Sequence, residues 1–287
     1  MTTGPTSWRP RVTAIVPAYN SEKFIAQALG CLASQTWNDL EILVGDDAST
    51  DGTLDVIRRF ADGRSNVVVV AREVNVGWLA NSNDLLSRAS GELLFFAFHD
   101  DLVHPEYVER LVHALSQNHR AVLAFSDLDL VALDGERSSC TFPDLDGIHG
   151  RLARGIGMAK RPTNWWVAIH GLVRTSAARQ VGGLRLNEAG EYAADWPWMM
   201  HLALLGEFVR VPESLCIKTV REGSVSRSWG SGGELGRAAR KACVAEVWRS
   251  PLSWAEKLLL TAEIRRSVPL PAHMRPAARR TLRRLLP

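Results

Sequence analysis

Two pairs of adjacent carboxylates in the first half of the sequence could hold a cation. Asp46-Asp47 follows the apolar run LEILVG, and Asp100-Asp101, preceded by His99, follows ELLFFAF. Carboxylate oxygens are hard ligands that suit Mg²⁺ or Mn²⁺, and Mg²⁺ usually takes only one or two protein carboxylates together with substrate phosphates. A nucleotide diphosphate would complete such a site. The metal would then act as a Lewis acid on the departing phosphate.

Each pair alone also has a structural explanation. Asp, Ser, Thr and Gly are typical of helix caps and turns, and the first pair continues into ASTDGT. The second pair precedes Pro105 and a predicted helix, which fits a capping loop as well. The joint placement of the pairs at two strand ends, roughly fifty residues apart, is what favours a functional site.

The elements that must position these residues alternate along the chain. Hydrophobic periodicity predicts strands at 11–18, 40–45, 66–72, 92–98 and 121–126, and helices at 22–34, 53–62, 78–89 and 105–117. Alternation with short connections predicts βαβ units in a mainly parallel sheet flanked by helices. Ligands of such sheets collect at the carboxyl ends of the strands. We therefore expect Ala18-Tyr19-Asn20 and both carboxylate pairs around one pocket.

The pattern weakens after residue 127. Residues 132–165 are expected to be rich in loops, and NWWVAIHGLVR is predicted as a partly buried strand. A helix at 195–205 and a strand near 207–211 follow. After the glycine-rich WGSGGELG at 229–236, helices are expected.

Composition is ordinary for a soluble globular protein. The 287 residues are 46% hydrophobic and 23% charged, and the four cysteines form no CxxC or Cys/His cluster, which argues against a zinc site or a disulfide framework. We find no signal-peptide pattern and no apolar stretch of the roughly 18 residues that would suggest a membrane span. A cytoplasmic location is expected.

Charge is unevenly distributed. From residue 232 onward, twelve Lys/Arg stand against four Asp/Glu, so the preceding part is acidic although the whole chain is +3. An acidic body argues against nucleic-acid binding. From Arg265 the tail has seven arginines, with Leu282, Leu285 and Leu286 among them, and could lie on the inner face of an anionic membrane. A solvated basic terminus or a homo-oligomer contact are the alternatives.

The motifs resemble a known family. VTAIVPAYNSEKFIAQALGCLASQTWNDLEILVGDDASTDGT, continued by NVGWLANSNDLLSRASGELLFFAFHDD, resembles family 2 glycosyltransferases of the GT-A fold. The resemblance is clear over 11–130 and weaker to about 226. It implies one domain at 1–228, with a nucleotide-sugar half at 11–130 and an acceptor and catalytic-base half at 131–228, followed by a basic helical extension at 229–287.

The resemblance also implies roles on the donor side. Pro17 and Tyr19 would pack beside the nucleotide base. Asp47 would accept the imide hydrogen of a uracil or thymine, with Asp46 supporting the loop or sharing that task. Asp100 would face the ribose or sugar, and Asp101 would ligate Mn²⁺ or Mg²⁺. The triplet here is HDD rather than DxD.

Transfer with inversion needs a base on the face opposite the leaving diphosphate. By resemblance this carboxylate opens a helix after a GG-containing segment, which indicates Asp195, with Glu191 as the backup. A helix cap before Trp196-Pro197 is the structural alternative. Arg221 stands where the family often has a histidine and is expected to bind the diphosphate through its fork of donors, or else to be a solvated loop residue.

The acceptor is expected to be the hydroxyl of a glycan, a lipid-linked sugar or a small-molecule aglycone. Four tryptophans could stack against it or pack in the core: Trp165, Trp166, Trp196 and Trp198. His170 and His201, each within an apolar run, are expected to be core residues.

Other classes of function fit less well. A sugar-phosphate nucleotidyltransferase usually has a glycine-rich basic loop where this chain has PAYNSEKF, and the GxGxxG of dinucleotide enzymes is absent there. A non-catalytic nucleotide-sugar-binding protein stays open, because a fold does not fix a function.

Overall fold

The structure is a computed structural model that describes residues 8–160, 164–221 and 233–266. Nine strands within these ranges form one mixed sheet in the order β3-β2-β1-β4-β8-β6-β9-β5, with β7 paired to β6. The strands are β1 (Val12–Ala18), β2 (Leu40–Asp46), β3 (Val67–Ala71), β4 (Leu93–Phe96), β5 (Asp101–Val103), β6 (Ala121–Val131), β7 (Arg137–Cys140), β8 (Leu172–Arg174) and β9 (Glu207–Thr219).

Helices flank this sheet. They are α1 (Ile25–Ala33), α2 (Thr53–Ala61), α3 (Trp78–Arg88), α4 (Tyr107–Gln117), α5 (Arg151–Ala159), α6 (Thr175–Val181), α7 (Asp195–Leu205), α8 (Gly233–Arg249) and α9 (Trp254–Arg266), with 3₁₀ helices at Pro143–Leu145 and Trp165–His170. None of the described helices is both long and apolar enough to cross a membrane. The predicted cytoplasmic location stays a prediction.

The parallel part of the sheet explains why the first carboxylates sit where they do. Strands β1 and β2 are buried along their whole lengths and pair in parallel, with Pro17 opposite Gly45 and Ala18 opposite Asp46. Strands buried on both faces become continuous apolar runs, which is the pattern of VTAIVPA and LEILVG. Because β1, β2 and β4 run in the same direction, the segments that follow them start from one edge of the sheet.

The mainly parallel α/β prediction is confirmed, but the second half differs from its predicted elements. NWWVAIHGLVR is not one strand: Trp165–His170 is a 3₁₀ helix, with backbone bonds from Val167 N to Asn164 O and from Gly171 N to Ala168 O, and the short β8 follows. This run is almost wholly buried, so its hydrophobicity has no period that separates strand from helix. Helices α5 and α6 and strand β5 were also not predicted.

Helix α7 lies at the centre of the second half. It is buried nearly all round, because α5, α6 and α8 pack against it, and α9 packs in turn on α5 and α8. Helices α8 and α9 are the described part of the predicted basic extension. Its final segment, 267–287, lies outside the described residues, as does 222–232.

Candidate functional site

Hydrogen bonds join the loops that follow β1 and β2. The Asn20 backbone N–H donates to Ser49 Oγ at 3.0 Å, and Asn20 Oδ1 accepts from the Thr50 backbone N–H at 2.8 Å. The Ser21 N–H donates to Thr53 Oγ1 at 2.7 Å. These contacts hold the two loops against each other, as their shared position at the sheet edge predicts.

Asp47 connects this pair of loops to a third. Its side chain is 2% exposed, and its Oδ1 and Oδ2 accept the backbone N–H groups of Val76 and Gly77, each at 2.9 Å. The Asn75 side chain donates to the Asp47 carbonyl at 3.0 Å. The segment between β3 and α3 is therefore fixed to the end of β2. Its signal in the sequence is Asn-Val-Gly, where Gly77 takes a positive φ of 86°.

The Asp46 carboxylate accepts fewer hydrogen bonds than the Asp47 carboxylate. The carboxylate is 1% exposed, and Oδ2 accepts the Ser49 N–H at 3.2 Å. Oδ1 is buried and has no hydrogen-bond partner within the described residues. A buried carboxylate oxygen without a donor is unusual, and it is suited to accept from a ligand. The predicted imide contact of Asp47 stays a prediction, and Asp46 fits that task at least as well.

The loop after β4 returns to the end of β1. His99 Nδ1 lies 3.1 Å from the Pro17 carbonyl oxygen. Pro17 itself is buried within β1, while the Tyr19 side chain is 44% exposed and available to pack against a ligand. The HDD triplet and the AYN segment are thus neighbours, as the strand order implies.

Asp101 points into the protein. It is the first residue of β5 and is 6% exposed; Oδ2 lies 3.0 Å from His170 Nε2 and Oδ1 lies 3.4 Å from Lys218 Nζ. Burial raises the pKa of the Asp101 carboxyl, but the charge of Lys218 and the contact with His170 outweigh it, so the pKa is lowered. Burial acts against the Lys218 ammonium, yet Asp101 and Asp100 raise its pKa. Both groups are therefore charged at neutral pH.

Asp100 is the more accessible member of the pair. Its Oδ2 lies 3.8 Å from Arg221 Nε, and the Arg221 guanidinium lies over the Phe24 ring at 3.8 Å from its centroid. No group of three or more His, Cys, Asp or Glu residues arranged to hold a metal occurs within the described ranges. A cation at this edge would therefore take part of its coordination from substrate oxygens, and Asp100 suits it better than Asp101, whose oxygens already contact two basic side chains.

Asp195 opens α7, as predicted. The N-cap position belongs to Ala194, and Asp195 Oδ1 accepts the N–H of the next residue, Trp196, at 3.0 Å. Three residues further on, the Trp198 ring packs edge-on against Phe96 with centroids 5.7 Å apart. Because Phe96 ends β4, the start of α7 lies at the edge of the sheet from which the HDD triplet emerges.

Glu191 connects the α7 loop to the donor-side loops. Its Oε1 accepts the Leu79 N–H in the first turn of α3 at 3.1 Å. A Cβ added to Gly77 would come within 2.6 Å of the same oxygen. Since Gly77 also donates to Asp47, a continuous chain of contacts joins Asp47 to the loop that ends at Asp195. This use of Glu191 leaves Asp195 as the better candidate base.

The interpretation that the tryptophans stack against the acceptor is wrong for three of the four. Trp165, Trp196 and Trp198 are at most 5% exposed, and the rings of Trp165 and Trp196 pack together at 6.2 Å. Trp166 is half-buried and packs edge-on against His170. His170 and His201 are buried as expected, but His170 has a partner that the sequence did not indicate, Asp101.

Comparison with known proteins finds a family match for part of the chain. Residues 13–136 match the sequence model of glycosyl transferase family 2. A poly(ribitol-phosphate) beta-glucosyltransferase of Bacillus spizizenii is 32% identical over 161 residues, covering 52% of this chain and 24% of that protein. The putative teichuronic acid biosynthesis glycosyltransferase TuaG of Bacillus subtilis is 30% identical over 130 residues, covering 45% of this chain and 51% of that protein. This chain thus spans about half or less of the length of these relatives.

A solved structure extends the likeness to most of the fold. S. aureus TarS, in complex with UDP-GlcNAc, superposes with a TM-score of 0.69 at 23% identity, covering 88% of this chain and 71% of the TarS chain. The fold is therefore GT-A. Within this fold, residues 13–136 are the part of the chain that matches the sequence model of glycosyl transferase family 2.

Proposed function

We propose that the protein is an inverting glycosyltransferase that moves a sugar from a UDP- or dTDP-sugar to an acceptor hydroxyl with the help of Mn²⁺ or Mg²⁺. The observation that supports this most is that three distant segments meet at one edge of the sheet. Asp46 ends β2, His99 of the HDD triplet contacts Pro17 in β1, and Trp198, three residues after Asp195, packs against Phe96 at the end of β4. The names of the relatives, and the UDP-GlcNAc bound to TarS, support the same class of reaction and donor.

On the donor side, the exposed Tyr19, which follows the strand that contains Pro17, packs beside the base. The imide N–H of the base donates to Asp47 or to Asp46 Oδ1, which has no partner within the described residues. Asp100 is the carboxylate that would hold the cation, and the cation would stabilise negative charge on the departing diphosphate. Arg221, now 3.8 Å from Asp100, adds a positive charge at the same place. Asp101 holds the loop through Lys218 and His170 and is a positioning residue.

On the acceptor side, Asp195 takes the proton of the attacking hydroxyl. The acceptor oxygen forms a bond to the anomeric carbon, the bond from that carbon to the diphosphate oxygen breaks, and the nucleoside diphosphate leaves with the electron pair. The configuration is inverted because attack comes from the face opposite the leaving group. The bond from Trp196 N–H to Asp195 Oδ1 orients the carboxylate. The names of the relatives favour a cell-envelope glycan or polyol phosphate over an aglycone as the acceptor.

Asp195→Asn tests the proposal directly. The amide cannot take a proton, so transfer should fall by about 100-fold or more while UDP binding is kept. The assay mixes the purified chain with Mn²⁺, a panel of UDP-, dTDP- and GDP-sugars and candidate acceptors, and follows nucleoside diphosphate release; binding is measured by calorimetry. Glu191→Gln is the control for general disturbance of the α7 loop.

Two outcomes would count against the proposed function. Unchanged turnover in Asp195→Asn removes that residue from the role of base. Tight UDP-sugar binding with no turnover by the unaltered chain, across the donors and acceptors tried, favours the non-catalytic alternative.

A further inference from the structure

Helix α9 exposes an apolar stripe to solvent. Trp254, Leu258 and Leu259 are 73%, 59% and 62% exposed, and the smaller Ala255 beside them is exposed as well. These positions recur at the spacing of one helix face. The opposite face of α9 is also apolar and is buried, with Leu260 among its residues. A surface helix normally has only one apolar face, turned to the core.

The stripe continues onto the preceding helix. The Trp248 ring at the end of α8 packs edge-on against Trp254 with centroids 5.0 Å apart, and Trp248 is itself 36% exposed. Lys257 Nζ donates to the Trp248 carbonyl at 3.0 Å, which fixes the junction of the two helices. Contiguous exposed apolar surface of this kind marks an interaction site more often than chance.

Positive charge lies at one end of the stripe. Arg265 and Arg266 are exposed in the last turn of α9. Of the two acidic residues on α9, Glu256 caps the helix by accepting from the N–H and hydroxyl of Ser253, and Glu263 is half-buried beside the stripe. The 21 residues that follow Arg266 contain five arginines and neither Asp nor Glu.

We propose that this face of α8 and α9 docks in the plane of an anionic phospholipid bilayer. Tryptophan favours the interface, leucine enters the acyl boundary, and arginine pairs with acidic headgroups, so one surface accommodates the apolar stripe and the cationic end together. A second copy of the chain would also cover the stripe, but it would add the positive charge of its own Arg265 and Arg266 to the same surface. The inference rests on the surface of α9 and not on the donor chemistry.

Vesicle flotation of the full chain tests the proposal. Vesicles of 70% phosphatidylcholine and 30% phosphatidylglycerol should bind the protein, whereas pure phosphatidylcholine vesicles should bind it far less. Arg265→Gln with Arg266→Gln should lower the partition coefficient about 30-fold, or roughly fivefold per arginine. Leu258→Ser with Leu259→Ser should lower it about tenfold or more through lost apolar burial.

Matched controls exist elsewhere on the surface. Leu133→Ser removes a 50% exposed leucine from the β6–β7 turn, and Arg58→Gln with Arg59→Gln removes two exposed arginines from α2; neither should change partitioning. UDP binding should be the same in all variants, which separates this test from that of the proposed function.

Three results would overturn the inference. Failure of the unaltered chain to float with the anionic vesicles removes the bilayer as the occupant. Equal partitioning of the Leu258/Leu259 variant and the parent assigns binding to the tail instead of α9. A concentration-dependent dimer that the same variant abolishes, without vesicle binding, makes the stripe a contact between copies.

Discussion

Two adjacent aspartates of the HDD triplet have opposite environments. Asp101 is buried against Lys218 and His170, while Asp100 is partly exposed beside Arg221. Removing one partner of a buried ion pair leaves the other charge uncompensated, which is more damaging than losing an exposed pair. The residue predicted as the metal ligand is thus better suited to holding the loop, and its neighbour to meeting the ligand.

Substituting each aspartate separates these tasks. Asp101→Asn should lower the free energy of unfolding by about 3 kcal/mol because Lys218 loses the stronger of its two counter-charges. Asp100→Asn should leave stability within about 1 kcal/mol but weaken Mn²⁺-dependent UDP binding. Urea denaturation and calorimetric titration with and without Mn²⁺ measure the two effects. If Asp100→Asn proves the more destabilising, or if only Asp101→Asn loses the metal dependence, the assignment is reversed.

At the scale of elements, sequence patterns succeed where contacts are local and fail where they are not. Alternating apolar runs predict the strands and helices up to residue 126, except the three-residue β5, because each of the others has a clear period or a turn at its end. The run at 164–174 has no such period and was mistaken for one strand. Asp101 and Lys218 are 117 positions apart in the sequence, so no local pattern predicts their contact. The position of Asp46 and the HDD triplet at one edge of the sheet was predictable because it follows from strand direction, whereas the position of Asp195, on a helix, does not.

A cluster of charged side chains connects α7 to α8, and the sequence did not indicate this cluster either. On α8, Glu246 is 3% exposed; its carboxylate lies 2.8 Å from His201 Nδ1 on α7, and both Arg185 and Arg249 donate to it. Burial raises the pKa of Glu246, but the hydrogen bond with His201 and the two arginine charges outweigh it, leaving the pKa lowered. The extension therefore supports the helix that begins at Asp195.

This cluster makes stability depend on pH. A carboxyl whose pKa is lower in the folded state stabilises fully above its unfolded pKa, near 4.5 for Glu246, and the contribution is lost as pH falls through the lower folded pKa. Glu246→Gln should therefore lower the free energy of unfolding by about 3 kcal/mol at pH 7. Below pH 4.5, the free energy of unfolding of this variant should decrease less steeply than that of the parent. Urea denaturation from pH 3 to 7 measures this. Glu234→Gln, at an exposed position of the same helix, should follow the parent; an equal loss there would mean that the cluster is not responsible.

On the scale of the whole molecule, the candidate site depends on contact between the two halves of the chain. The first half supplies the donor-side loops, and the second supplies α7 and its preceding loop. Glu191 bridges them through Leu79 N–H, beside the point where Gly77 donates to Asp47. The candidate base and the candidate donor site are thus positioned relative to each other by a few atoms around Gly77.

Gly77→Ala should disturb the contact between the two halves of the chain. Gly77 has φ 86° and ψ 159°, a conformation nearly restricted to glycine, and a Cβ would collide with the Glu191 carboxylate. We expect a loss of about 1 to 3 kcal/mol in stability and weaker UDP-sugar binding. Gly63→Ala is the matched control, because Gly63 has φ 70° but nothing within 4 Å of an added Cβ, so it reports backbone strain alone. Binding that falls equally in both variants would show that strain, and not the contact with Glu191, sets the geometry of the site.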